Sequence, residues 1–271
     1  MKREEFKKDG YEYIIENYES IDELLTTLDK RTLIKGATCS TTRTSTDSWS
    51  GETYEDAIKY LKYGDNRKID VVMKKFKQAQ TSGSNNKLVF ENDVVGFQPI
   101  IPNAIQGLPL SMINSRLKPK KQKVVTIRLS LNVVSHVSSD DVYNFGSKVI
   151  EKVVQLEKSG FRVRVELSYI NHNHDGEQML VVNIPLKKEN QPLDLKKLVF
   201  PMSNVAFQRR IIFDWYDRTP GVKYDCWYGR SLSACSSDIK KKVLKTLVGD
   251  RKDLYMILYG DNLDETFKSL R

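Results

Sequence analysis

The most constraining feature of this chain is the succession of hydrophobic periods between residues 124 and 186. "VVTIRLSLNVV" (124–134) alternates and then runs apolar, as a buried strand does. Residues 139–160 switch period: Val142, Phe145, Val149, Val153 and Leu156 recur at three and four, and Gly160 closes a helix. "FRVRVELSYI" (161–170) returns to alternation, and "QMLVVNIPL" (178–186) comes after "NHNHDGE". Strand, helix and strand form a βαβ unit, which requires a right-handed crossover and parallel strands. The connection to 178–186 is too short for a crossover helix, so this strand must turn back antiparallel. The expectation is an edge strand.

Around this unit the chain reads as further α/β structure. Residues 1–35 predict one or two helices, the first an acidic amphipathic one. The second is "SIDELLTTLDKRTLI", with Ser20 as N-cap and Ile21, Leu24, Leu25 and Leu28 on one face. "GATCSTTRTSTDSWSG" (36–51) reads as loop, and "ETYEDAIKYLKYG" as a helix with Tyr54, Ala57, Ile58 and Leu61 inward and Gly64 as its stop. "KIDVVMKKFKQAQ" predicts another helix, and "TSGSNNK" a linker. Three prolines and two glycines divide residues 88–112 into short strands and turns, expected to wrap the domain that begins after them. Beyond 186, "SNVAFQRRIIFDWYDRT" predicts a helix with Val205, Ile212 and Trp215 inward. "VKYDCWYG" predicts a short strand, "SDIKKKVLKTLVG" a basic helix, and "DLYMILYG" a last buried strand before a terminal helix. The expected organisation is a mainly helical region (1–87) and an α/β domain (88–271), whose residues 88–123 wrap or link and whose residues 124–271 carry the sheet.

Charge and cysteines narrow the functional classes. The net charge is +9, and no acid lies between Asp93 and Asp140, where Arg116, Lys118, Lys120, Lys121, Lys123 and Arg128 stand. Such a block can hold a phosphate backbone by counterion release, or serve as a solvated linker. Arg209 and Arg210 in "FQRRIIFDWYDR", and Lys240, Lys241, Lys242 and Lys245 in "DIKKKVLK", would extend the same footprint if they converge. Cys39, Cys226 and Cys235 form no CxxC pair, which suits a reduced, cytosolic chain. No apolar stretch reaches membrane-spanning length, and the first residues lack the apolar centre of a secretory signal.

The strand ends are where chemistry would be sought. His136 comes after the first strand, and His172 and His174 after the second. Parallel neighbours would place all three at one edge of the sheet, where doubly wound folds bind ligands. Imidazoles suit a divalent transition metal, with Asp140 or Asp175 to complete the set; no other cofactor is expected. Ser138 or Ser139 with Asp140 and Asp141 fits a helix cap. The turn has no glycine, so it is neither a P-loop nor a dinucleotide fingerprint, and no GxSxG elbow exists for a nucleophile. Asp214 and Asp217, three apart beside Arg210 and Arg218, read as ion-paired.

Two resemblances bear on these residues. The order strand, helix, strand, antiparallel edge strand and then helix–strand alternation across 124–271 resembles von Willebrand factor A-like domains. Such domains hold a divalent cation through Asp-x-Ser-x-Ser after the first strand, where this chain has Asn132, Val134 and His136. The resemblance therefore implies a Rossmann-like sheet without that metal site. The blocks "STTRTSTDSWSGETYEDAIKYLKYG", "DVVGFQPIIPNAIQGLPLSM" and "VVTIRLSLNVVSHVSSDDVYNFGSKVIEKVVQLEKSGFRVRVELS" resemble an uncharacterised family met mainly in bacteriophage genomes. That likeness implies a phage origin and a site in the host cytoplasm or the virion, and transfers no catalytic residue. Its Trp49–Ser50–Gly51 and Gly107–Leu108–Pro109 turns read as an anchor and a glycine-dependent turn.

Three functions remain open on the sequence. The first is a non-enzymatic protein that binds DNA or a nucleoprotein assembly through a basic surface. The second is a virion or assembly component, whose partner is a phage or host protein. The third is a metal-dependent hydrolase built on the three histidines.

Overall fold

The computed structural model describes residues 1–34, 43, 51–65, 67, 86–119, 123–134, 136–173, 177–223 and 228–268. The fold is mixed α/β. The expected βαβ unit is present as β6 (Val124–Ser130), α4 (Ser139–Lys158) and β7 (Arg162–His172), with β6 and β7 parallel from Val124↔Arg162 to Leu129↔Leu167. β8 (Gln178–Lys187) turns back antiparallel to β7, as its short connection requires. On the other side of β6, β10 (Leu254–Leu258) pairs in parallel.

The N-terminus corrects the first expectation. Residues expected as an acidic helix form a β-hairpin, β1 (Lys2–Lys8) and β2 (Tyr11–Asn17), turned at Asp9–Gly10, both with positive φ. An Asp-Gly pair between alternating runs is a strong hairpin signal, because the tight turn needs two left-handed residues. β2 pairs in parallel with β8, so β8 is an interior strand, not the expected edge. Its composition fits that place: Met179, Leu180, Val181, Val182 and Ile184 are all fully buried, and a strand covered on both faces loses alternation. The seven-stranded sheet runs β1-β2-β8-β7-β6-β10, and β9 (Arg230–Ser231) pairs with the end of β7 that extends past β6.

Helices cover both faces. One carries α1 (Ile21–Lys30), α2 (Tyr54–Tyr63), α4, α5 (Leu195–Ser203) and a π-turn (Phe207–Ile212) running into α6 (Phe213–Arg218), packed on Ile127, Leu129, Val165, Leu167 and Val182. Ser20 caps α1 and Thr53 caps α2 through a capping box with Asp56. Val205, Ile212 and Trp215 are buried as the sequence predicted. Glycine is required at Gly146 on α4, where an added Cβ would lie 1.9 Å from the Met202 carbonyl oxygen of α5. The other face carries α7 (Ser237–Val248), and a short α8 (Leu263–Thr266) comes after β10.

Residues 86–119 were expected to wrap the domain. They form their own antiparallel sheet, β3 (Asn86–Asp93), β5 (Met112–Pro119) and β4 (Gln98–Pro99), with a five-residue helix, α3 (Ile101–Ile105). Among the described residues none of this segment enters the hydrophobic cores. Gly107 has φ +67, as a glycine-dependent turn predicts. The helix expected at 68–80, the linker residues 81–85, Trp49, Ser50, Cys39 and residues 224–227 of the strand expected at 222–229, Cys226 among them, lie outside the described residues. Among the described residues no helix is long and apolar enough to cross a membrane.

Candidate nucleic-acid interface

α7 is amphipathic because Lys241, Lys242 and Lys245 fall on the arc opposite its apolar residues, while Lys240 lies at the edge of the apolar arc. Val243 is buried, and Ile239, Leu244 and Leu247 pack with it on Tyr13, Ile15, Ile170, Met179, Val181 and Leu258 of the sheet. Gly249, at φ +61, stops the helix and returns its N–H to the Lys245 carbonyl. Lys241, Lys242 and Lys245 are exposed and Lys240 half-buried. Among the described residues none of the four has a carboxylate partner within salt-bridge distance. At the start of α7, burial pushes the Cys235 thiol pKa up while the charges of Lys240 and Arg230 pull it down, so Arg230 belongs to the same cationic neighbourhood.

A second group of cations gathers where the parallel strands begin. Lys123 is exposed, and its carbonyl accepts the Arg162 N–H at 2.8 Å; Arg162 is exposed beside it. The strand register brings Asp253 to Thr126, its carbonyl accepting the Thr126 N–H at 2.7 Å, so Arg251 and Lys252 reach this edge from the loop after α7. The Arg251 guanidinium is paired to Asp253 at 2.9 Å, and Arg164 and Arg128 both engage Glu166 at 2.8 Å. Sequence reading missed Arg162, Arg251 and Lys252, because only the register of β6 against β7 and β10 makes them neighbours of Lys123. Arg116 lies on β5, exposed and paired with Asp93; Lys118 continues that strand, and Lys120 and Lys121 lie outside the described residues.

Arg209 and Arg210 do not join this surface. Arg210 is 2% exposed and donates to the Glu52 carbonyl at 2.8 Å, and the Arg209 guanidinium sits 5.0 Å over the Phe213 ring. Their segment is buried almost all round, beyond the one inward face that the sequence predicted. Asp214 is ion-paired as expected, to Arg218 at 2.8 Å, and also to Arg43 at 2.8 Å. Asp217 accepts the Tyr228 hydroxyl at 3.1 Å.

At the strand ends His136 is exposed in the turn before α4, where Ser138 caps the helix by accepting the Asp141 N–H at 3.1 Å. His172 closes β7, half-buried, its ring edge-on to Tyr11 at 5.4 Å. His174 and Asp175 lie outside the described residues, among which no group of three or more His, Cys, Asp or Glu is placed to hold a metal. Asn132 stands where a von Willebrand-type aspartate would, and it is fully engaged. Its amide donates to the Ile170 carbonyl at 3.1 Å and to the Asn171 side-chain oxygen, and its Oδ1 accepts from Gln208 Nε2 at 2.7 Å. Its own carbonyl accepts the Ser231 and Ser233 hydroxyls. This lattice of neutral amides lacks the carboxylates a hard cation needs, so these residues do not fit that metal.

Residues 4–267 match the model of a family described as a domain of unknown function (DUF7192), and the chain belongs to that family. No curated protein and no solved structure matches.

Proposed function

We propose that this member of the DUF7192 family is a phage-encoded, non-enzymatic protein that binds DNA across α7 and the basic edge beside it. The observation that carries this reading is the row Lys240, Lys241, Lys242 and Lys245, cations without carboxylate partners among the described residues. An ion-paired lysine neutralises itself, whereas an unpaired one can displace a phosphate counterion. The opposite arc of α7 is anchored on the sheet, so the row is held on a rigid support. Lys123, Arg162 and Lys252 extend the charge to where the strands begin. The strand order β8-β7-β6-β10, with only β8 reversed among the four, supports a von Willebrand factor A-like core to which β1 and β2 are an addition.

The test is duplex DNA binding by fluorescence anisotropy across a salt series. Log affinity should fall linearly with log salt. The triple variant Lys241→Ala, Lys242→Ala, Lys245→Ala should bind more weakly on every sequence, with a slope shallower by about 0.9 for each phosphate no longer neutralised. Binding that ignores salt, or a triple variant with unchanged slope and a native circular dichroism spectrum, would sink the proposal.

A further inference from the structure

β7 sets two exposed arginines at opposite edges of the large sheet. Arg162 opens the strand, and Arg230 on β9 falls directly opposite His172, which closes it. Alternation along β7 puts Arg162 and His172 on the same face as Ile170, which packs with α7. Residues directly opposite on paired strands share a face, so Arg230 belongs to this side too. Both arginines are exposed, and among the described residues neither has a carboxylate partner within salt-bridge distance. At about 3.3 Å per residue, the first and last of the eleven residues of β7 stand about 33 Å apart. α7 carries the chain from β9 at one edge to the start of β10 at the other, so Lys241, Lys242 and Lys245 stand along that path.

Resting on the DNA-binding reading above, we infer that the ligand is one full turn of duplex laid from edge to edge, with Arg162 and Arg230 as its outermost phosphate contacts. A B-form duplex turns the same backbone strand to one side again after about 34–36 Å. Two cations at that spacing each hold a phosphate of one strand at successive crossings, and the lysines between them meet the complementary strand. A single strand has no such repeat and is gripped by stacking its bases on aromatic rings. Among the described residues the exposed aromatic side chains are Tyr63, Phe90 and Phe97, none of them on α7, β7 or β9. Phosphate contacts carry no base information, so this grip is independent of sequence.

Fluorescence anisotropy of the full chain with duplexes of about 20 and about 8 base pairs tests this, since the shorter spans only about 27 Å and cannot reach both arginines. The native salt slope should be shallower on the short duplex by about 0.9 or more. On the long duplex Arg162→Ala and Arg230→Ala should each weaken binding about threefold and flatten the slope by about 0.9. On the short one, which has already lost one end, either variant should lose less than about twofold. Lys62→Ala removes the same charge from α2, on the opposite face of the sheet, and should leave binding to both duplexes unchanged. Equal native slopes on the two duplexes would overturn the inference without any variant. So would an arginine variant that keeps the native slope on the long duplex, or a single strand of the same length bound as tightly. In each of those cases the lysine triple variant still flattens the slope, so the DNA-binding reading stands. A salt series that is flat for the native chain overturns both.

Discussion

At the scale of single residues, the decisive partners of buried charges are remote in sequence. Glu16 is fully buried on β2, yet both its oxygens are occupied. Arg31 donates at 2.7 and 3.0 Å, Arg3 at 2.9 Å, Trp215 Nε1 at 2.7 Å and the Tyr18 hydroxyl at 2.7 Å. Burial pushes its carboxyl up, but the donors from Arg31, Trp215 and Tyr18 outweigh it and leave the pKa below the ordinary glutamate range. Glu16→Gln should therefore cost about 3–5 kcal/mol in urea unfolding at neutral pH, because two arginines lose their counter-charge in a largely dry site. The depressed pKa fixes the sign of the pH dependence. The native advantage is full above the unfolded-state pKa and is lost as pH falls through the folded-state value, so the two stability curves should converge in acid. Nothing in "YEYIIENYES" announced this hub, since Arg31 and Trp215 reach it only through the fold. Arg210 teaches the converse: an arginine beside another arginine reads as surface charge, and only the packing of its segment hides it.

At the scale of elements, local chemistry was legible wherever the period was long and the caps complete. α1, α2, α4 and α7 form where their apolar spacing and their Ser20, Thr53, Ser138 and Gly249 ends require. The N-terminal hairpin was misread because its charged alternation suits an amphipathic helix as well as an edge strand. Its Asp9–Gly10 turn was the discriminating signal. Gly10→Ala should cost about 1 kcal/mol in thermal unfolding, since Gly10 holds φ +86 with open space around it, so conformation alone is penalised. Gly146→Ala is a different case. Its Cβ would collide with the backbone of α5, so α4 and α5 must separate, and a loss of about 1–3 kcal/mol or more is expected from the same measurement. A methyl group usually favours a helix, so an opposite sign would show that the α4–α5 packing is looser than this.

At the scale of the whole molecule, the N-terminal hairpin completes the sheet and its charged core together. Removing residues 1–17 would uncover the full edge of β8, whose residues are apolar on both faces, and would delete Glu16. The truncated chain should accumulate as aggregate on expression, measured as the fraction in the soluble lysate. A soluble chain that unfolds with the native midpoint would show that β1 and β2 are only an appendage.

The sequence alone determined the βαβ unit, the reversal of β8, the basic arc of α7 and the unsuitability of Asn132, Val134 and His136 for a von Willebrand-type cation. Each rests on local rules: hydrophobic period, connection length, capping or ligand chemistry. Tertiary structure alone decided that β8 is interior, that Lys123 shares an edge with Arg162 and Lys252, and that Arg210 is buried. It also decided that the apolar stretch around Phe97 stands apart from the core. The reason is that strand order and face-to-face packing join residues more than a hundred positions apart, and a one-dimensional pattern carries no term for those long-range pairings.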